Sequence, residues 1–451
     1  MKLSLEEIIK ATGAKVLKND GVDGKFTFST DTRTIQKGEI YLPLKGENFD
    51  GEKFIDKAIE MGAVGYFCTS EQIFDNACLI LQVENTLTAY LELARFYKRK
   101  INPTTVAITG SSGKTTTKEM AYCVAKENFR THKSELNFNN EIGLCKTILS
   151  MPEDTEVLIL EMGMRGLGEI ELLSKYSEPD ITIIANVGTA HIGRLGSREN
   201  IAQAKCEINK FLKENGTLIA HEDELIKKMI YVCHQPSSVK PIYFSLNDTK
   251  ILERSIGYSK FEYKHNQYEL NIEGDYNIQN SLAVIEMGLK LGMTPSAIAS
   301  GLKKYSPIEK RWEIQELKGF KIINDSYNAN PEAMQGVIKT VLDVYPPPLL
   351  FVLGNMGELG ENEIEYHKEI GEFLLKKLDE FKGKDVEIIT VGNLANEISK
   401  KLEEKSISSK NFDGNLQTSR YILDNVKIGT TIVFKASRSM KFEEIIEEVK
   451  K

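Results

Sequence analysis

The sequence predicts an α/β protein of three domains: a small N-terminal α/β module, a central phosphate-loop domain with a mostly parallel sheet, and a doubly wound C-terminal domain. Three observations carry this expectation. At roughly 150 residues per domain, a chain of 451 residues has length for several cores. Its apolar runs are continuous rather than alternating, the pattern of strands buried on both faces of a parallel sheet. One of them, "VAIT", leads through "GSSGKT" straight into a helical pattern.

The elements follow in order. Residues 1–84 mix short apolar runs with glycine-punctuated loops, including "STDTRTIQKGEIYLPLKGENFDGEKF" at 29–54, and should fold as a small α/β module with a loop-built binding surface. In "NTLTAYLELARFYKRK" the spacing of Leu87, Leu91, Ala94 and Phe96 predicts an amphipathic helix that opens the second unit, residues 85–309. Its strands are "VAIT", "VLILEMG" at 157–163, "ITIIANV" at 181–187 and "TLIAH" at 217–221. Helices from Thr115 and around Ile201–Lys213 separate them, and "NIQNSLAVIEMGLKLG" at 277–292 closes the unit. From 310 to 451 the alternation restarts, with runs "KIIND", "PLLFVLG", "VEIITVG" and "TIVFKAS" spaced by helices at about 331–345, 363–381 and 395–405. This third pattern is Rossmann-like, and "YPPPLL" at 345–350 reads as a rigid turn into a strand.

Composition narrows the functional classes. With 41% hydrophobic and 27% charged residues and no apolar run of membrane-spanning length, the chain has the make-up of a soluble globular protein without membrane insertion. Glu6 and Glu7 interrupt the place where a secretory signal needs its apolar core, so a cytoplasmic location is expected. A net charge of −7 argues against nucleic acid held by bulk charge. The six cysteines, at 68, 78, 123, 145, 206 and 233, show neither C-x-x-C pairs nor histidines at ligand spacing, and are expected to be reduced packing residues.

The central motif is "AITGSSGKTTTKEM" at 107–120, a shortened phosphate-binding loop in which Ile108 stands where the first glycine of G-x-x-x-x-G-K-[ST] would be. Glycine lets the chain from Thr109 through Gly110, Ser111, Ser112 and Gly113 curl so that its N–H groups face phosphate oxygens, and the following helix adds its positive end. Lys114 then brings mobile charge to the β/γ-phosphates, the Thr115 hydroxyl can coordinate Mg²⁺, and Thr116 completes the turn. Strand, loop and helix in the right order weigh against an ordinary glycine turn.

Three further residues sit where ligands of open α/β sheets bind or near it. Glu161 ends the strand "VLIL", His191 follows "ITIIANV", and Lys205 lies on a helical stretch with Ile201 and Ile208 on its apolar side. Each has a plainer reading: a solvated acid, a satisfied structural histidine, a helix lysine with an exposed head. Asn277 and Asn280 are one helical turn apart, so their amides share a face that can read an adenine edge, or cap the surface.

As a set, these stretches resemble the Mur ligases, the ATP-dependent amide-forming enzymes of peptidoglycan precursor synthesis. "TGSSGKTTTKEM" is similar to their phosphate loop, and "DTRTIQKGEIYLPLKGENFDG", "NFNNEIG", "EMGMRGLGEI", "NVGTAHIGRLGSRENIAQAKCEI", "DYNIQN", "NDSYNANPEAM", "LGNMGELG" and "ASRSM" extend the likeness along nearly the whole chain. Glu52, Tyr276, Asn355 and Ala436 depart from residues frequent in the family. "SYNANP" resembles the member that takes a dipeptide, and no "DNPR"-like stretch of the third-amino-acid adder is present.

The resemblance implies a monomeric enzyme that converts the terminal carboxylate of UDP-N-acetylmuramoyl-tripeptide to an acyl phosphate with ATP and then joins it to D-alanyl-D-alanine. It further implies that Lys114, Glu161, His191 and Lys205 carry catalysis. Two Mg²⁺ ions would be held by Thr115, Glu161, His191 and Lys205, the last as a carbamate, since an ammonium cannot bind a cation. Arg311 and Asp325 would close over the ATP phosphates and ribose. Asp31, Thr32, Arg33 and the loop of Gly46, Asp50 and Gly51 would hold the uridine diphosphate; Asn139 and Asn140 would meet the muramoyl end; Ser197 would also bind substrate; and Asn328 and Asn330 would lie near dipeptide or nucleotide. Two alternatives stay open: a related ligase with another carboxylate or amine, and a non-catalytic nucleotide-binding protein.

Overall fold

The computed structural model describes residues 2–46, 49–71, 76–232, 239–308, 310–380 and 385–451. The central sheet has six strands in the order Thr131–Lys133, Val157–Glu161, Thr104–Thr109, Ile181–Ile184, Thr217–His221, Ile242–Phe244, every neighbouring pair parallel. Continuous apolar runs produce this arrangement because both faces are covered. Val106, Ile108, Ile159 and Ile183 are fully buried, each worth about 1.5–3 kcal/mol of hydrophobic transfer. The strand order reverses at Thr104–Thr109, so the loop after it opens at the switch point where such sheets bind ligands.

The helix after the loop starts at Lys114, one residue before the expected Thr115, and ends at Ala125. A larger difference concerns the helix expected at Ile201–Lys213: it spans Arg198–Cys206 and passes into a 3₁₀ turn at Glu207–Asn209. Ser197 caps the start by accepting from Asn200 N at 3.1 Å. At the other end Glu207 turns inward and accepts from Gly168 N at 2.8 Å, and Asn209 Oδ1 accepts from the Thr182 hydroxyl at 2.7 Å. These buried polar bonds outweigh continued helical pairing.

The N-terminal unit carries a five-stranded sheet in the order Lys15–Asn19, Leu79–Gln82, Gly65–Cys68, Ile40–Tyr41, Phe28–Ser29. The helix Thr86–Ile101 leads out of it, with Asn85 Oδ1 accepting from Thr88 N at 2.9 Å at its N-cap. A three-stranded antiparallel sheet, Thr249–Ser255, Tyr258–Tyr263 and Asn266–Leu270, precedes the helix Asp275–Lys290.

The C-terminal sheet runs Glu313–Leu317, Phe320–Asn324, Thr431–Lys435, Leu349–Gly354, Val386–Val391, Lys410–Phe412; its first pair is antiparallel and the rest parallel. Its helices include Pro331–Val344, Glu363–Glu380 and Asn396–Glu403; Phe381, the last residue of one expected helix, lies outside the described residues. One apolar cluster runs from Val106 through Ile278 and Trp312 to Phe351 and Val433, packing the central and C-terminal units together. None of the five described cysteines forms a disulfide, and Cys233 lies outside the described residues. Among the described residues, no helix is long and apolar enough to cross a membrane.

Candidate active site

Gly113, at φ 73°, makes the left-handed turn that starts the helix Lys114–Ala125. A Cβ there would stand 2.6 Å from Asn280 Oδ1, so both backbone conformation and space call for glycine. The N–H groups of the helix's first turn have no intrahelical acceptor and face the cavity with the dipole's positive end. Lys114 Nζ donates to Gly110 O at 2.8 Å, folding the side chain along its own loop. Burial pushes its ammonium below the ordinary lysine range, with Glu161 opposing the shift.

The loop is held from below by Asn186, which sequence reasoning did not single out. Its Oδ1 accepts from Ser111 N at 3.0 Å and Ser112 N at 2.9 Å, and its Nδ2 donates to Ser112 O at 2.9 Å. Ser111 Oγ in turn accepts from Gly188 N at 2.8 Å, and the Thr109 hydroxyl donates to Met162 O at 2.9 Å. The signal available was position alone: Asn186 ends the run "ITIIANV" beside the loop strand.

Register sets Glu161 abreast of that strand, opposite Ile108. The carboxylate is 4% exposed; Oε1 accepts from Asn139 Nδ2 at 3.2 Å, while Oε2 is buried without a hydrogen-bond partner, Lys118 Nζ lying 3.7 Å away. A buried carboxylate oxygen without a donor is costly unless a cation completes it. Among the described residues no three His, Cys, Asp or Glu side chains gather as an all-protein metal site. The available donors are Glu161, the buried Thr115 hydroxyl and the ring of His191.

His191 adopts φ 67°, uncommon for a side chain with a Cβ, and its Nδ1 lies 2.6 Å from Glu358 Oε2 without hydrogen-bond alignment. Beside His191 the Glu358 carboxyl is held below the usual carboxylate range. Lys205 is 2% exposed, and burial, then the charge of Lys114, pushes its amine well below the ordinary lysine range.

Lys114, Glu161, Asn186 and His191 border a cavity of about 300 Å³ between the central and C-terminal units. Ser111 to Thr116, Asn139, Glu161, His191 and Asn280 form one wall; Arg311, Asp325, Asn328 and Asn330 face them. Arg311 lies over the Tyr327 ring at 4.0 Å, and Asp325 accepts from Trp312 N at 3.0 Å while pairing with Lys435, a second residue the sequence did not announce. Asn330 caps the helix Pro331–Val344.

Other expected residues stand elsewhere. Thr109, Gly110, Asn277 and Lys205 do not line the cavity; Asn277 Nδ2 donates to Glu273 O at 2.6 Å. Asn140 and Ser197 are helix caps. In the N-terminal unit Asp31 grips Arg33 through Nε at 2.9 Å and Nη2 at 2.6 Å, which lowers its carboxyl to about 2, and Thr32 sits in the same turn. Asp50 caps Gly51–Phe54, and Gly51 packs so closely on Leu44 that a Cβ would meet its carbonyl at 2.7 Å. Gly46 lies in the short strand Lys45–Gly46; Glu47 and Asn48 of that loop lie outside the described residues.

Three family models match the chain: "Mur ligase family, catalytic domain" at residues 27–99, "Mur ligase middle domain" at 108–288, and "Mur ligase, glutamate ligase domain" at 310–438. The UDP-N-acetylmuramoyl-tripeptide–D-alanyl-D-alanine ligase of Bacillus subtilis strain 168 is 37% identical over 433 residues, 93% of this chain and 92% of its own. Its namesake from Haemophilus influenzae is 30% identical, covering 100% of this chain and 99% of its own. Among solved structures, MurF from Acinetobacter baumannii superposes with a TM-score of 0.88 at 25% identity, covering 100% of this chain and 99% of that one. MurF from Thermotoga maritima in complex with ADP gives 0.81 at 29% identity, covering 94% and 96%.

Proposed function

The chain belongs to the Mur ligase family, and from that membership we propose that it uses ATP to join D-alanyl-D-alanine to the terminal carboxylate of UDP-N-acetylmuramoyl-tripeptide in peptidoglycan precursor synthesis. One observation carries the reading: a phosphate loop, a buried carboxylate with one oxygen lacking a donor and an Arg311–Asp325 wall from a second unit meet at one cavity. Relatives aligned over almost their whole length bear the name of that ligase.

A carboxylate does not react with an amine until its oxygen becomes a leaving group. Its oxygen attacks the γ-phosphorus, giving the acyl phosphate and ADP; the neutral dipeptide amine then attacks the acyl carbon, and the tetrahedral intermediate loses a proton from nitrogen and expels inorganic phosphate. Bringing an anion to a polyanion makes positioning and charge neutralisation the main tasks. The open N–H groups at the start of the helix Lys114–Ala125, together with Lys114, take the phosphates, whereas the N–H groups of Ser111 and Ser112, expected to face phosphate, are engaged by Asn186; Arg311 and Asp325 close the cavity from the other side.

Mg²⁺ would neutralise the phosphates, two ions being the family expectation. The residues fit it: Glu161 Oε2 is an orphaned hard donor, and Thr115 and His191 are the further donors. Lys205 is a buried amine with no anionic partner among the described residues, and addition of CO₂ would turn it into a carbamate anion with two oxygens. We assign residues 1–84 to the uridine diphosphate, 85–309 to ATP and 310–451 to the incoming dipeptide.

The test is phosphate release from ATP and Mg²⁺ with UDP-N-acetylmuramoyl-tripeptide and either D-alanyl-D-alanine or single amino acids. Release with the dipeptide alone is expected; release with a single amino acid would move the assignment to another ligase of the family, and none with any amine would overturn it.

A further inference from the structure

The segment that carries His191 is gripped on both sides by the C-terminal unit. On one side Glu332, in the first turn of the helix Pro331–Val344, accepts from Thr189 N at 3.0 Å through Oε1 and from the Thr189 hydroxyl at 2.9 Å through Oε2. Two donors on one carboxylate fix direction as well as distance, and the helix's positive end favours an anion there. Gly188 makes the approach possible, since a Cβ on it would stand 2.8 Å from the Glu332 carboxyl carbon.

On the other side Glu358 O accepts from Gly193 N at 3.0 Å, and Glu358 Oε2 reaches His191 Nδ1 at 2.6 Å. Here two backbones touch: a Cβ on Gly193 would meet Gly360 N at 2.5 Å, and one on Gly360 would meet Gly193 Cα at 2.6 Å. The Glu358 loop is itself braced, because Met356 N donates to His367 Nε2 at 2.9 Å while His367 Nδ1 bonds Glu363 O at 2.6 Å. Both His191 and Glu358 hold left-handed backbone conformations, φ 67° and 63°. Such conformations persist where surrounding contacts over-determine them.

We propose that Glu332 and Glu358 are positioning residues that set the segment Gly188–Gly193 from the C-terminal unit, so that the placement of His191 depends on how that unit is docked. The two carboxylates act through this segment. The role rests on the ligase reading only in that His191 serves the reaction there; the grip itself is a property of the fold. Among the ligands expected at the cavity it favours those that bind both units at once, because they stabilise the docked arrangement.

The test is hydrogen–deuterium exchange of the full-length protein, with ADP and Mg²⁺ present, for wild type, Glu332→Ala, Glu358→Ala and Thr189→Val. Exchange of 187–195 should rise several-fold in each variant and further in the double Glu332→Ala/Glu358→Ala, while that of the strands 104–109 and 157–161 stays within twofold. In steady state kcat should fall roughly ten- to a hundredfold with KM for ATP within about threefold, and Glu358→Gln, which keeps shape and backbone contact, should recover most of it. Unchanged exchange of 187–195 in all three single variants would overturn the proposal. If Glu358→Ala does not fold, Thr189→Val reads the Glu332 side alone. Raised exchange in an enzyme that forms no product with the dipeptide would keep the grip and discard the ligase reading; product with unchanged exchange would do the reverse.

Discussion

At the scale of single residues, the site divides into groups that face phosphate and groups that hold those groups still. Lys114 is of the first kind. Lys114→Met should lower turnover by about 100- to 1,000-fold, the size of effect when one preorganised electrostatic contact is lost, with an unchanged melting temperature as the control. Asn186 is of the second kind. Asn186→Ala leaves Ser112 N without its acceptor and Ser111 N with only the backbone oxygen of residue 186, so urea unfolding should show a loss of roughly 1–3 kcal/mol, and KM for ATP should rise. The sequence exposed Lys114 and Thr115 through the order of strand, glycine loop and helix, and Glu161 through its place at a strand end, whereas His191 stood out only through the family resemblance. It concealed Asn186, Lys435, Glu332 and Glu358, whose importance comes from partners distant along the chain, as with Thr189 and Glu332 or Asp325 and Lys435.

At the scale of elements, the loop-to-helix junction and the helix Thr86–Ile101 each make a prediction. Gly113→Ala forces an alanine into φ 73° and its Cβ against the Asn280 amide. A stability loss of about 1–2 kcal/mol with weaker binding of a fluorescent ADP analogue is expected. In the helix, Lys98 has its side chain only 2% exposed and donates to Glu178 O at 3.0 Å, and burial, then Lys213, pulls its amine down from 10.5 to about 8. A folded-state value below the unfolded one means the unfolded chain binds more protons between about pH 8 and 10.5, so this group's contribution to stability rises with pH across that window and is flat below it. Relative to Lys98→Met, wild type should gain on the order of 2 kcal/mol between pH 8 and 10, read from urea midpoints. The four inner strands of each large sheet were legible because they are uninterrupted apolar runs; the edge strands Thr131–Lys133, Ile242–Phe244, Glu313–Leu317 and Lys410–Phe412, short or half polar, were not read. The antiparallel sheet Thr249–Leu270 was not read: its strands Thr249–Ser255 and Tyr258–Tyr263 are half polar, and they pair across short turns such as that at Gly257, φ 72°.

At the scale of the whole molecule, the central and C-terminal units share one apolar cluster, with Tyr276 edge-on to Trp312 at 6.0 Å and Lys339 paired to Asp275 at 2.5 Å across the boundary. A cavity lined from both sides can exclude water from an acyl phosphate, which a site on one unit cannot. The three-unit organisation was readable from changes in the hydrophobic pattern along the chain; the docking of the units was not, because nothing local marks Gly193 as the neighbour of Gly360. Gly193→Ala should therefore push apart the local contact with Gly360 without parting the shared core, seen as faster amide exchange of 187–195 with an unchanged far-ultraviolet circular dichroism spectrum.

The central claim is the joining of a dipeptide to a UDP-linked tripeptide, and the most direct measurement is the mass of the UDP-linked product formed from ATP, UDP-N-acetylmuramoyl-tripeptide and an equimolar mixture of D-alanine and D-alanyl-D-alanine. A single product heavier by the dipeptide less one water is expected, formed in step with one phosphate and absent in Lys114→Met. A product heavier by one alanine, or phosphate release with no change in the mass of the UDP-linked substrate, would contradict it.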